Sequence, residues 1–168
     1  LPFLLRLLQE PAFRRGDYDT HYISREMTLG DLYNYPEELH HRAAVALTLY
    51  RWRQRREEQP LLNGLPSGWR NNFYQHQQER YRIVESEWEV RYRCWSDHFE
   101  FLIGEQAYEV RLLAADAGGV RFEIAGRQEY YPIVPDDDWY FLHLPGTGQL
   151  IARALPRFPE VEGERVKG

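Results

Sequence analysis

The side chains able to do chemistry in this chain are scattered rather than gathered. Its six histidines are His21, His40, His41, His76, His98 and His143, and its one cysteine is Cys94. His40 and His41 are adjacent, so on a helix they point in different directions and do not form the i, i+4 pair of a zinc helix. His143 lies in a strand pattern, where core packing or a rim hydrogen bond is the expectation. Cys94 has no CxxC partner and falls mid-strand in "RYRCW", a poor setting for a metal ligand or a nucleophile. Asp17 and Asp19 have the spacing of a DxD metal motif, and Asp136, Asp137 and Asp138 in "PDDDW" could take a divalent cation. A solvated turn is the alternative for each. "GLPSG" matches neither phosphate-binding glycine spacing. The helix end "RWRQRR" could touch phosphate, but Glu57 and Glu58 follow it, which favours dipole compensation and surface pairing.

One loop stands apart. "GLPSGWRNN", residues 64–72, wraps turn-forming glycine, proline and asparagine around Trp69 and Arg70. Exposed Trp and Arg are the residue types that dominate protein–protein hot spots. In the other reading Trp69 plugs a nearby core and Arg70 pairs with a local acid. Residue types alone leave both open.

Composition narrows the classes. A chain of 168 residues with 43% hydrophobic and 15% aromatic content can build a packed core. A formal net charge of −5 argues against a general nucleic-acid binder. A lone cysteine suits a reducing, cytoplasmic setting, and no stretch reaches the roughly 18 apolar residues of a membrane helix. The opening "LPFLLRLL" is short, carries Arg6 and reads as an amphipathic helix rather than a signal peptide. Beginning on Leu, the chain is expected to be part of something longer. Of its 21 basic residues, only Lys167 is lysine.

The elements divide into three regions. Residues 1–30 hold an apolar helical turn or two, then a short segment opened by Pro11. From Pro36 to Glu58 a long helix is expected, with Asn34 as a cap, Glu37 and Glu38 at its positive end and arginines at the other. Its middle, "AAVALTLY", is apolar on nearly every side, which places it inside something. From about 80 to 155 the chain alternates through some eight short runs with tight connections. The inward sets read Trp88/Val90/Tyr92/Cys94, Phe99/Phe101/Ile103, Tyr108/Val110/Leu112, Val120/Phe122/Ile124, Tyr131/Ile133 and Trp139/Phe141/Leu144, with Pro132 implying an edge or bulge. The fold class is therefore α+β, mainly β: an eight-stranded antiparallel barrel wrapped around one long central helix, preceded by short helices. Such a barrel is ordinarily just wide enough for its own side chains, so it must be strongly sheared, open at a seam, or bulged. A helix packed outside the barrel is the competing arrangement.

The run "LPSGWRNN", set between a buried helix and an antiparallel barrel, resembles the BT linker domain of biotin-dependent acyl-CoA carboxylase α subunits. That domain lies between, and connects, the biotin carboxylase and carboxyltransferase activities. "LPFLLRLLQEPAFRRGDYDTHYI" resembles the last helices of the family's biotin carboxylase domain, and "LPRFPEVEGERVKG" the linker toward its biotinyl domain. The resemblance implies a biotin carboxylase end over 1–30, a BT domain over 31–158 and a linker over 159–168.

It further implies that the loop after the helix, about residues 59–78, is a hook docking on a carboxyltransferase β subunit. Leu65, Pro66, Trp69, Arg70 and Asn71 are its implied contacts. The parent would be a ligase using biotin, ATP and Mg. The family's biotinylation motif, Ala-Met-Lys-Met, has no counterpart here, where the single Met is Met27 and the single Lys is Lys167. This piece is thus expected to bind no cofactor or metal and to carry no catalytic site, in a cytoplasmic protein without nucleic-acid or membrane partners. The competing functional readings are a barrel holding a small apolar ligand and a nucleic-acid binder working through "RWRQRR".

Overall fold

The computed structural model of the protein describes residues 2–26, 35–57, 76–144 and 147–156. Three short helices come first: α1 (Pro2–Gln9), α2 (Pro11–Arg15) and α3 (Tyr22–Glu26). Pro11 opens α2, where its missing N–H has no helical partner to lose. Gly16 ends that helix in the left-handed conformation.

The long helix, α4 (Glu37–Glu57), carries Glu37 and Glu38 in its first turn and Arg55 and Arg56 in its last. Charge of each sign thus sits at the helix end that favours it. Every residue from Ala43 to Tyr50 is at most 2% exposed. Such all-round burial requires a wall on every side.

Eight strands supply the wall: β1 (Gln77–Ile83), β2 (Ser86–Trp95), β3 (His98–Ile103), β4 (Gln106–Asp116), β5 (Gly119–Ile124), β6 (Arg127–Asp136), β7 (Trp139–Leu144) and β8 (Gly148–Leu155). They pair in chain order and close, β8 against β1. Strands β1, β2 and β4 to β7 all pack against α4. The helix therefore runs through the barrel and not beside it.

The register explains how eight strands hold a helix. Residue pairs followed once around, from Gln77 through Tyr92, Phe101 and Tyr108 and on to β8, return to β1 about 16 residues away. That is roughly twice the shear of a closely filled eight-stranded barrel. At ordinary strand spacing and rise it opens the wall to a radius of roughly 10 Å. A register shift between Leu112 and Ala114 adds a bulge in β4. The barrel is sheared and bulged, and it is closed. Ala43, Ala44 and Ala46 let the wall approach the helix, and Tyr81, Tyr92, Phe99, Phe101, Phe122 and Tyr131 fill the space between.

Two sequence expectations shift. Residues 127–132 of β6 pair with β5, and its residues 133–136 pair with β7. Pro132 sits at that handover, where β7 supplies no partner, so the steep shear makes a local edge inside a closed sheet. In β7 the buried residues are Tyr140, Leu142 and Leu144, while Trp139 is 44% exposed and Phe141 is half-buried. The hairpin sets this phase by pairing Asp136 with Trp139. Trp139 instead lies outside beneath Arg153 of β8, whose guanidinium carbon is 5.4 Å from the ring centre.

Candidate functional site

The C-terminal end of α4 and the first residues of β1 form one mouth of the barrel. The segment joining them, with Leu65, Pro66, Trp69, Arg70 and Asn71, lies outside the described residues. Its two stems are described in full.

On β1, Glu79 shares the inward face with Tyr81 and Ile83 and is 2% exposed. An ionised carboxylate is tolerated at such a place only with strong partners. Arg51 Nη1 lies 3.1 Å from Glu79 Oε2, and Arg55 Nη1 lies 2.8 Å from Oε1. These arginines are four residues apart on one face of α4, so a single carboxylate spans a helical turn. Arg55 Nη2 also donates to the Tyr92 hydroxyl at 3.0 Å, and that hydroxyl donates to Gln77 Oε1 at 2.8 Å. The Arg51 guanidinium lies over the rings of Tyr81 and Tyr140, at 5.8 and 5.9 Å. Burial pushes the Tyr81 phenol well above its ordinary value, and the Glu79 charge adds to this. Its hydroxyl stays protonated beside that of Thr48, 3.1 Å away.

The rest of the arginine run has partners too. Arg53 pairs with Glu57, and Arg56 lies over the Trp52 ring at 5.4 Å. Trp52 in turn meets Phe99 edge-on at 5.2 Å. An open cavity of about 790 Å³ lies beside this end of the helix, bordered by Trp52, Arg56, Asp97, Leu113 and Ala115. Within "RWRQRR", Arg51, Arg53 and Arg55 thus pair with carboxylates on β1 or on their own helix, and Arg56 is exposed over Trp52.

The other chemistry-bearing residues stay apart. His41 is buried near the opposite mouth, its Nδ1 2.7 Å from the Tyr108 hydroxyl and its ring edge-on to Trp88 at 4.6 Å. Burial holds both His40 and His41 below the usual imidazole range. His143 was expected in the core or at a hydrogen-bonding rim, but it is exposed, because Leu142 and Leu144 take the inward positions of β7. The Cys94 thiol is pushed up by burial, which keeps it protonated and a poor nucleophile. Asp19 accepts from the His21 backbone N–H at 2.9 Å and from Arg25 at 3.2 Å, as a turn residue does. Asp136, Asp137 and Asp138 are exposed on the β6–β7 hairpin. Among the described residues no group of three or more His, Cys, Asp or Glu side chains could hold a metal ion.

This helix and the closed barrel around it fall within the reach of one family model, that of the BT domain of the methylcrotonyl-CoA carboxylase alpha subunit. That model matches residues 36–156, from the start of α4 to the end of β8. The chain belongs to this family. No individual curated protein matches it. Within this BT domain, Glu79 and its two arginines are the site residues that sequence reasoning missed. The signal was present: Glu79 shares parity with Tyr81 and Ile83 and is the one carboxylate on that inward face of β1.

Proposed function

We propose that this BT domain is a non-catalytic scaffold that docks the α subunit of a biotin-dependent acyl-CoA carboxylase onto its carboxyltransferase β subunit. The observation that carries this reading is the filled barrel. Helix α4 occupies the lumen, so among the described residues the barrel has no interior left for a small apolar ligand. In this reading the segment that joins α4 to β1 is what meets the partner. It offers Leu65, Pro66, Trp69, Arg70 and Asn71, the aromatic, guanidinium and turn residues of a docking hot spot.

In this reading residues 1–30 end a biotin carboxylase domain, 31–158 form the BT domain and 159–168 lead toward a biotinyl domain. The parent chain uses biotin, ATP and Mg to carboxylate an acyl-CoA in the cytoplasm. Methylcrotonyl-CoA is the substrate that the family's name carries. The described residues contribute buried packing and ion pairs to this reaction and no reacting group.

The reading is tested by mixing full-length α chain carrying Trp69→Ala and Arg70→Ala with its β subunit and following the complex by size-exclusion chromatography. Loss of the complex is expected, with the melting temperature of the α chain unchanged. Undiminished assembly would overturn the hook assignment.

A further inference from the structure

The two stems of the loop after α4 are held by one buried carboxylate. Glu79 is the third residue of β1, and its two oxygens engage Arg51 and Arg55 from the last two turns of α4. A second tie runs from Arg55 through the Tyr92 hydroxyl to Gln77, the first residue of β1. Arg55, two residues before the last residue of α4, is thus tied both to Glu79 and, through Tyr92, to Gln77 where the strand begins. Apolar packing could anchor α4 along its length, but it resists sliding and rotation of the helix end only weakly. A fork of charge-assisted bonds is directional. A buried ion pair seldom adds net stability over an apolar replacement, and its best-attested use is to set register.

We infer that Glu79 is a positioning residue: with Arg51, Arg55 and Tyr92 it sets the spacing and orientation of the stems from which the hook departs, and so prepares the hook for its partner. This rests on the docking reading. Binding is weakened when a loop must be ordered as it binds, so a loosened base lowers affinity without touching any contact residue.

The test uses full-length α chain and β subunit. Glu79→Gln is compared with Glu129→Gln, which breaks the Arg42–Glu129 pair between α4 and β6 at the opposite end of the helix. Glu79→Gln is expected to weaken β-subunit binding about tenfold, and Glu129→Gln to leave it within about twofold, with binding measured well below the melting temperature of each variant. Tyr92→Phe, which keeps the ring and removes the hydroxyl that links Arg55 to Gln77, is the milder variant should Glu79→Gln fold poorly, with about a threefold loss.

A second readout needs no partner. Spin labels at Glu57→Cys and Gln78→Cys, in α chain with no other reactive cysteine, are expected to give a narrow distance distribution that broadens in Glu79→Gln and not in Glu129→Gln. Equal binding loss from the two ends, or an unbroadened distribution, overturns the inference. If Trp69→Ala and Arg70→Ala leave binding intact, the docking reading fails instead, and the distance measurement still decides whether Glu79 holds the stems.

Discussion

The two ends of α4 carry similar charges and use them differently. At the N-terminal end Arg42 donates to Glu38, one turn back on its own helix at 2.7 Å, and also to Glu129 on β6. His41 leans on Glu37 and Tyr108 in the same neighbourhood. Each group there has a partner on the helix itself, and the ties to the wall are additions. At the C-terminal end the acid is on the strand, buried, and pairs with Arg51 and Arg55 of the helix. These two pairs hold only if α4 and β1 keep their relative place. The first end is a cap reinforced by a barrel, and the second is a joint.

The largest effect separates them directly. Glu79→Ala leaves Arg51 and Arg55 half-buried, with side-chain exposures of 24% and 30%, and without their counter-charge. Stability is expected to fall by about 3 kcal/mol, at the low end for a broken buried pair because water reaches both guanidiniums. Glu129→Ala is expected to cost about 1 kcal/mol, because Arg42 keeps Glu38. Chemical denaturation of the two variants checks the difference. Equal losses would mean that the joint is no more than a second cap.

Glycines give the next contrast. At the mouth beside the C-terminal end of α4, a Cβ on Gly119 would stand 2.3 Å from the Tyr131 carbonyl oxygen and 3.0 Å from Pro132 Cα. Both are backbone atoms of a paired strand, so the β5–β6 ladder must part to admit a methyl group. At the opposite mouth Gly126 has φ +72° and nothing within 4 Å of the same construction. Gly119→Ala is expected to lose about 2–3 kcal/mol as an overpacked site. Gly126→Ala should lose about 1 kcal/mol, the ordinary penalty of a left-handed residue. Thermal melts of the pair would show whether the mouth at the C-terminal end of α4 is the more tightly built.

Much of this architecture was legible because the barrel obeys period two and the helix breaks period 3.6. The run Ala43–Tyr50 has no polar stripe to face water, which predicts a helix surrounded on all sides. Phe99, Phe101 and Ile103 alternate without a slip, and all three are buried. The sequence was weaker where a hairpin puts a residue other than glycine at positive φ. Val84, Ser96, Ala125 and Asp137 all adopt positive φ, at 55°, 61°, 49° and 51°. Only tertiary pairing enforces that conformation on a β-branched valine. The phase error in β7 has the same origin, since the turn at Asp137 decides whether Trp139 or Tyr140 faces the helix. The joint at Glu79 was hidden for another reason. Its partners are reached through the closed barrel, at separations of 28 residues for Arg51 and 24 for Arg55, and no local spacing rule joins them. Leu65, Pro66, Trp69, Arg70 and Asn71 lie outside the described residues, so their proposed docking role rests on their chemistry.

The smallest effect belongs to the other end alone, and pH exposes it. His41 is 1% exposed, and burial lowers its proton affinity below the ordinary value of 6.5; Glu37 works in the opposite direction with the smaller influence. His40 is lowered as well, by burial and then by the neighbouring His41. Around them stand Glu38 and Arg42 on the same helix, Trp88 on β2, and Gln106 and Tyr108 on β4. A histidine with a lowered folded-state pKa binds its proton more readily in the unfolded chain. Its contribution is therefore complete above about pH 6.5 and is lost as the pH falls below that value. The melting temperature is expected to hold steady from pH 8 to 7 and to decline below about 6.5. In His40→Gln/His41→Gln that early decline should flatten, leaving the carboxylate-driven fall at lower pH in place. Glu79→Gln leaves both histidines and their neighbours untouched at the other end of α4, and should keep the histidine-driven slope near pH 6. A slope that followed Glu79 and not the histidines would reverse the assignment, making the joint the acid-sensitive end and the cap the inert one.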